Sequence, residues 1–373
     1  MQVNRNLIEK TYINNVCFNQ NYELILISTD LGFEIFTTYP LKSLRKNRLG
    51  HNINLIESYY NTNLIFLSGD FLDEPENFNK VVIVYDDYKE KIVGRIINEF
   101  NILNIKVSKE YVVFCDKKNI YCYDFHNLEL LNKYEYYEND LNINFRLSVY
   151  MNNYLTTIIE DNKISIINLD NNSVKILSSN KNPIQYFNLS KDGQFLATTS
   201  GGDKIKIFDV KNTLLIRILK RGSISCNIKS INFNINNSKI IVSSDLSTIH
   251  IFLNFKEYDY KISKPMLNKI AKYFDYNLCN YDFSYNRINF KNGDKFVCIL
   301  NDKFIILELI PECKIYLGEI CDFENKNINI SDELNLENYE YYFKKKNEDK
   351  SNIEEESEVK LDSIWNLKMI KKI

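Results

Sequence analysis

Short runs in which apolar and polar residues alternate recur along the whole chain. Seven of them stand out, at 32–38, 81–87, 119–125, 164–170, 205–210, 249–254 and 303–309. Phe36, Tyr85, Tyr123, Ile167, Phe208, Phe252 and Leu307 are their anchors. Each is preceded by a second apolar run, at 24–29, 64–69, 111–116, 155–160, 195–200, 240–245 and 296–300. Period-two alternation over so few residues predicts strands with one or both faces covered. The anchors lie 38 to 55 residues apart. A repeat of roughly 40–45 residues holding about four strands is the signature of a β-propeller. Seven anchors predict an all-β fold with seven blades of WD-repeat type.

Departures from the period mark insertions. The interval of 49 residues contains an acidic stretch from Asp70 to Lys80, read as a surface loop. The interval of 55 contains residues 256–283, between the sixth and seventh anchors. After about Asp322 the pattern is expected to stop, so residues 1–322 form the propeller. Residues 323–373 then form an acidic, disordered tail, because Asn, Glu and Lys dominate up to residue 360. Its last segment places Leu361, Ile364, Trp365 and Met369 at helical spacing. Docking on the propeller, on a partner or on a bilayer all fit that spacing.

Composition adds limits. The chain has 373 residues, of which 45% are hydrophobic, enough for a large core. A formal net charge of −2 leaves no global basic field to attract nucleic acid or membrane, so anion binding requires a local patch. Cys17, Cys115, Cys122, Cys226, Cys279, Cys298, Cys313 and Cys321 include no CxxC pair and no histidine at zinc-ligand spacing. They are expected to be free thiols in a reducing cytosol, and no metal or other cofactor is expected. No apolar run approaches the roughly 18–20 residues of a membrane span, and the first ten residues do not read as a signal peptide.

Several stretches are similar to the PROPPIN/WIPI family of seven-bladed propellers. The resemblance rests on residues 201–210, 219–222, 231–234 and 243–252, with further likeness at 17–36 and 80–96, and it spans about residues 10–320. Its most specific piece is Leu219-Lys220-Arg221-Gly222, which stands where the family has a Phe/Leu-Arg-Arg-Gly signature. The resemblance implies recognition of phosphatidylinositol 3-phosphate, and often the 3,5-bisphosphate, at two rim pockets flanking that motif. The chemistry is consistent with this. An inositol phosphate needs cations, which Arg can supply bidentately, and hydroxyls or an imidazole N–H for its other oxygens.

Matched position by position, the stronger pocket combines Arg221 with Ser244, Thr248 and His250. The weaker one combines Lys220, Lys206, Lys204, Thr198 and Ser200. There, lysine stands at two positions where the family uses arginine, and the 198–208 turn is one residue short. A lysine is a point charge without the guanidinium fork. A plain solvated edge is the alternative for that pocket, and an internal hydrogen-bond network is the alternative for Ser244, Thr248 and His250.

Within the insertion, a helix is expected to start at Pro265. It places Leu267, Ile270, Ala271 and Phe274 on one face, with Lys269 and Lys272 towards the other. The family's sixth-blade loop enters the bilayer, which implies membrane insertion by Leu267, Ile270, Tyr273 and Phe274. A short apolar face with nearby lysines suits an interface, and head-group and hydrocarbon contacts together give avidity. Packing on the propeller is the alternative. Asn19, Gln20 and Asn21 resemble a stretch that contacts a lipid-transfer partner in some family members, with Asn21 replacing an aspartate. An ordinary turn between strands is the other reading.

The expected function is therefore a non-enzymatic peripheral membrane effector in the cytoplasm. It docks reversibly on autophagosomal, endosomal, vacuolar or plastid-like organelle membranes and recruits autophagy-type machinery. The alternative is a WD-repeat scaffold with weakened or lost lipid binding. Catalysis is not expected, since no nucleophile–base pair or carboxylate cluster recurs at channel-facing turns. Nucleic-acid binding is not expected either, because basic and acidic residues are interspersed.

Overall fold

A computed structural model describes residues 11–70, 78–137, 145–178, 182–253, 282–284, 286–290, 293–300, 302–308, 314–322, 327–336 and 339–341. The first four sheets follow chain order. They comprise β1 (Thr11–Phe18), β2 (Leu24–Thr29), β3 (Gly32–Thr38) and β4 (Leu41–Arg48), then β5 (Ile53–Ser58), β6 (Leu64–Gly69), β7 (Val81–Asp86) and β8 (Lys91–Ile97). Next come β9 (Asn104–Val107), β10 (Tyr111–Cys115), β11 (Asn119–Asp124) and β12 (Leu130–Glu135), then β13 (Phe145–Leu147), β14 (Tyr154–Glu160), β15 (Lys163–Asn168) and β16 (Val174–Ser178).

The fifth sheet holds β17 (Tyr186–Leu189), β18 (Phe195–Thr199), β19 (Lys204–Asp209) and β20 (Leu214–Lys220). The sixth and seventh are less regular. They use β21 (Ile228–Phe233), β22 (Lys239–Ser244), β23 (Thr248–Leu253), β24 (Asp282–Phe283), β25 (Asn286–Asn289), β26 (Lys295–Leu300), β27 (Lys303–Glu308), β28 (Lys314–Asp322), β29 (Asn327–Asn335) and β30 (Tyr339–Tyr341). Strand β24 leaves the sixth sheet and adds in parallel to β20 of the fifth, while β30 adds in parallel to β1. Seven four-stranded blades result, a seven-bladed β-propeller, as the seven anchors predicted.

Burial along each blade explains the sequence pattern. Second strands such as β2 and β10 are buried throughout, because neighbouring blades cover both faces. Fourth strands such as β4 and β12 are mostly exposed and carry charges. First strands β9, β13 and β17 alternate, with one face between blades and the half-buried other face towards the central channel. Seven apolar clusters fill the seven gaps between consecutive blades. The last of these packs Cys298, Ile305, Leu307 and Ile315 of the seventh blade against Ile13, Ile25 and Ile27 of the first, and so closes the ring.

Turns repeat as faithfully as strands. Asp86, Asp124, Asn168 and Asp209 end the third strands, and each accepts a hydrogen bond from the backbone N–H two residues on. Four residues after each of them, Glu90, Leu128, Asn172 and Thr213 adopt positive φ, which turns the chain into the fourth strand.

The structure corrects one boundary. Strands continue past Asp322: β29 completes the seventh blade and β30 extends the first. The insertion residues Leu267, Ile270, Tyr273 and Phe274 lie outside the described residues, as do Cys279, Cys313 and the segment 342–373.

Candidate functional site

The basic pair stands where β20 runs out into the connection to the sixth blade. Arg221 N–H donates to the Asp203 carbonyl at 2.9 Å, which ties the motif to the turn between β18 and β19. That turn requires glycine. Gly202 has φ of 69°, and a Cβ there would stand 2.3 Å from the Cys226 carbonyl oxygen. The Arg221 side chain is only 3% exposed. Its Nε donates to the Gly202 carbonyl at 2.7 Å and one Nη to the Ile224 carbonyl at 2.8 Å. Arg221 therefore also pins the linker between the fifth and sixth blades.

The four residues expected in the stronger pocket do come together. The Arg221 charge acts on both His250 and the Cys226 thiol, and Ser244 hydrogen-bonds that thiol. Thr248 Oγ1 lies 3.1 Å from His250 Nε2. His250 is 2% exposed, and its Nδ1 has no hydrogen-bond partner among the described residues. Burial first, then the charges of Arg221 and Arg287, push its pKa down to about 4. At neutral pH it offers a hydrogen bond and no charge.

Sequence reasoning missed Arg287. It is the cross-strand partner of His250 on β25, and it is exposed. Cross-strand partners share a sheet face, so Arg287 stands over the imidazole from the outer side. Its only signal was the position after a long insertion, where no motif marks it. Asn289, paired with Thr248, also lines a cleft of about 380 Å3 with Phe290, Glu308 and Tyr316. The pocket as drawn is closed, because Arg221, Ser244 and His250 are all buried. Its open margin consists of exposed Ser223, Ile224, Ser225 and Arg287 and half-buried residues 245–248.

The weaker pocket is less coherent. Lys204 and Lys220 are cross-strand partners, and Lys206 lies two residues along the same face. Asp203 offsets Lys220, whose Nζ sits 3.1 Å from one of its carboxylate oxygens, and Arg217 on the other face of β20 lies 3.7 Å from Asp282 of β24. Thr198 is fully buried with its hydroxyl unpartnered, and the Ser200 hydroxyl donates to the Asn182 carbonyl at 3.3 Å. Thr198 is thus not a lining residue of an open pocket.

Asn19 and Gln20 prove to be internal, with exposures of 0% and 1%. Asn19 Oδ1 accepts from the Leu24 N–H, the role that Ser108, Ser148, Ser190 and Asn234 play in other blades. The Gln20 amide donates to the Ser58 and Val107 carbonyls, joining the first three blades. Asn21 is half-buried and bonded to Glu23 in the same turn. The side-chain polar groups of Asn19 and Gln20 are thus already used inside the fold.

Burial pushes the Cys17 and Cys122 thiols up to about 12 and also raises those of Cys226 and Cys298. All four, like Cys115, are outside any disulfide. Among the described residues no group of three or more His, Cys, Asp or Glu could hold a metal ion, and no helix is long and apolar enough to cross a membrane.

A closed seven-bladed ring with a basic motif at one rim defines the class. Within it, the resemblance to the PROPPIN/WIPI propellers is borne out by known proteins. The chain is 29% identical over 242 residues to autophagy-related protein 18 of Dictyostelium discoideum, covering 63% of each. It is 27% identical over 266 residues to the Yarrowia lipolytica protein of that name, covering 64% of this chain and 66% of the relative. The chain thus spans just under two thirds of these relatives. Kluyveromyces lactis Hsv2 has the same fold, with a TM-score of 0.70 at 18% identity over 87% of this chain and 99% of Hsv2. A complex of KlAtg21 with the coiled coil of AgAtg16 matches with a TM-score of 0.67 at 15% identity, covering 87% of this chain and 99% of that one. No family model matches the chain.

Proposed function

We propose that this propeller is a peripheral membrane effector that recognises phosphatidylinositol 3-phosphate, and the 3,5-bisphosphate, through the sixth-blade side of its basic motif. One observation carries the reading: two guanidinium groups, Arg221 and Arg287, act on one neutral imidazole flanked by the Thr248 hydroxyl. Arg221 spends its side-chain hydrogen bonds on carbonyls and, among the described residues, makes no ion pair with a carboxylate. The head group enters past the strip 222–225, exchanging the Ile224 carbonyl for phosphate oxygens on the guanidinium. The insertion residues Leu267, Ile270, Tyr273 and Phe274 supply the apolar anchor beside it. Docking is reversible, on autophagosomal, endosomal, vacuolar or plastid-like membranes, where the ring recruits autophagy-type proteins. The likeness to autophagy-related protein 18 and to an Atg21–Atg16 complex supports that role.

Flotation with liposomes tests it. Vesicles carrying the 3-phosphoinositide should lift the wild-type chain, and those without it should not. Arg287→Ala, at an exposed position, should lower flotation while leaving the fold intact, and Leu267→Asp with Phe274→Asp should abolish it. Flotation unchanged in both variants would overturn the reading.

A second reading, a protein scaffold without lipid binding, is favoured by the burial of Arg221 and by the Asp203 carboxylate on Lys220. It requires that the wild-type chain fail to float on any 3-phosphoinositide.

A further inference from the structure

The first strands of successive blades contact one another around the channel: β1 with β5, β5 with β9, β9 with β13, β13 with β17, and β17 with β21. Their half-buried faces bring Lys106 of β9 and Arg146 of β13 towards the axis. Lys191 joins them from the turn between β17 and β18, at the end where first strands pass to second strands. Three cations from three blades are within electrostatic reach there, Arg146 acting on Lys106 and Lys106 on Lys191. The carboxylate facing them is Glu57 of β5, 3% exposed. Glu57 is taken by an ion pair with Lys106 and by the Gln20 amide at 3.3 Å.

Glu57 also attracts Lys191, but neither Lys191 nor Arg146 is in an ion pair among the described residues. Lys191 Nζ lies 4.5 Å from the centre of the Tyr22 ring and, among the described residues, makes no ion pair or side-chain hydrogen bond. Arg146 stacks 5.6 Å from the ring centres of both Tyr186 and Phe187, and its Nη1 donates to the Phe145 carbonyl at 3.0 Å. Cys17, Cys298, Tyr22 and Tyr150, all held neutral by burial, and Tyr186 are further titratable groups near Lys191 and Tyr22. Amides of Asn188 and Asn232, linked at 3.0 Å, continue the polar lining.

We infer that this channel mouth, formed by Lys106, Arg146 and Lys191 with Glu57 behind them, binds a small, multiply charged oxyanion of the phosphate type from solution. The aromatic faces hold the two unpaired cations but cannot neutralise them. A group with several acceptor oxygens satisfies the ammonium and the guanidinium fork at once. Burial, opposed by the attraction of Glu57 and reinforced by repulsion from Lys106, pushes the Lys191 pKa down to about 8, and a bound anion would raise it again. The site lies on the axis and shares no residue with the rim motif.

Amine acylation near pH 8, followed residue by residue by mass spectrometry on the full wild-type chain, tests this. Lys191 should react faster than exposed Lys211. Inorganic phosphate, added against chloride at equal ionic strength, should slow Lys191 severalfold and leave Lys211 unchanged. Arg146→Gln should remove that protection, and Asp203→Asn, at the rim, should preserve it. Indifference of Lys191 to phosphate overturns the site. So does protection that survives Arg146→Gln, or protection that disappears with Asp203→Asn. Protection by vesicles bearing phosphatidylinositol 3-phosphate, and not by phosphate, overturns the soluble source.

Discussion

Lys220 and Arg221 are neighbours in sequence and differ in almost every physical respect. Lys220 keeps an 18% exposed side chain beside Asp203, whereas Arg221 is buried and threads two carbonyls of separate loops. The same charge thus serves as a surface counterion in one case and as an internal brace in the other. Planarity explains the difference. A guanidinium can satisfy two carbonyls in different directions, and an ammonium on a flexible stem more readily follows a nearby carboxylate.

Removing Arg221 should have the largest effect. Arg221→Ala orphans the Gly202 and Ile224 carbonyls, and about 2–4 kcal/mol of stability should be lost in urea unfolding. Arg221→Lys should recover part of that and less of the flotation. Next comes Gly202→Ala, which forces a side chain into positive φ and against Cys226, and should cost about 1–3 kcal/mol by the same assay. His250 should make the molecule acid-sensitive. As pH falls below about 6.5 the unfolded chain takes up a proton that the folded chain refuses until about 4, so stability is lost across that window. His250→Gln should flatten that part of the pH profile of the melting temperature. The smallest effect belongs to Asp203→Asn. This half-buried rim pair should change stability by only about 1 kcal/mol, while freeing Lys220 should strengthen binding to anionic vesicles.

Legibility in the sequence followed the same divide between paired and braced groups. The second strand of each blade was visible beside its anchor because a strand buried on both faces needs consecutive apolar residues, as in 24–29 and 111–115. Strand β29 was hidden for the opposite reason. An outer strand can be built from NINISDELN, a composition that also suits a solvated tail. The burial of Asn19 and Gln20 was not legible because buried amides leave no apolar signature, although the recurrence of Ser or Asn at the equivalent turns of other blades could have revealed Asn19 as structural. Grouping Arg221 with His250 was legible from a motif and a strand pattern, whereas their burial depended on the closeness of Gly202 to Cys226, which no spacing records.

The excursion of strand β24 has a mechanical consequence. The chain leaves the sixth blade after Leu253 and returns at Asp282 along the edge of the fifth, hydrogen-bonded to Leu219 and Lys220. Any load placed on the stretch between is therefore shared between β23 of the sixth blade and β20 of the fifth, which leads directly into the brace at Arg221.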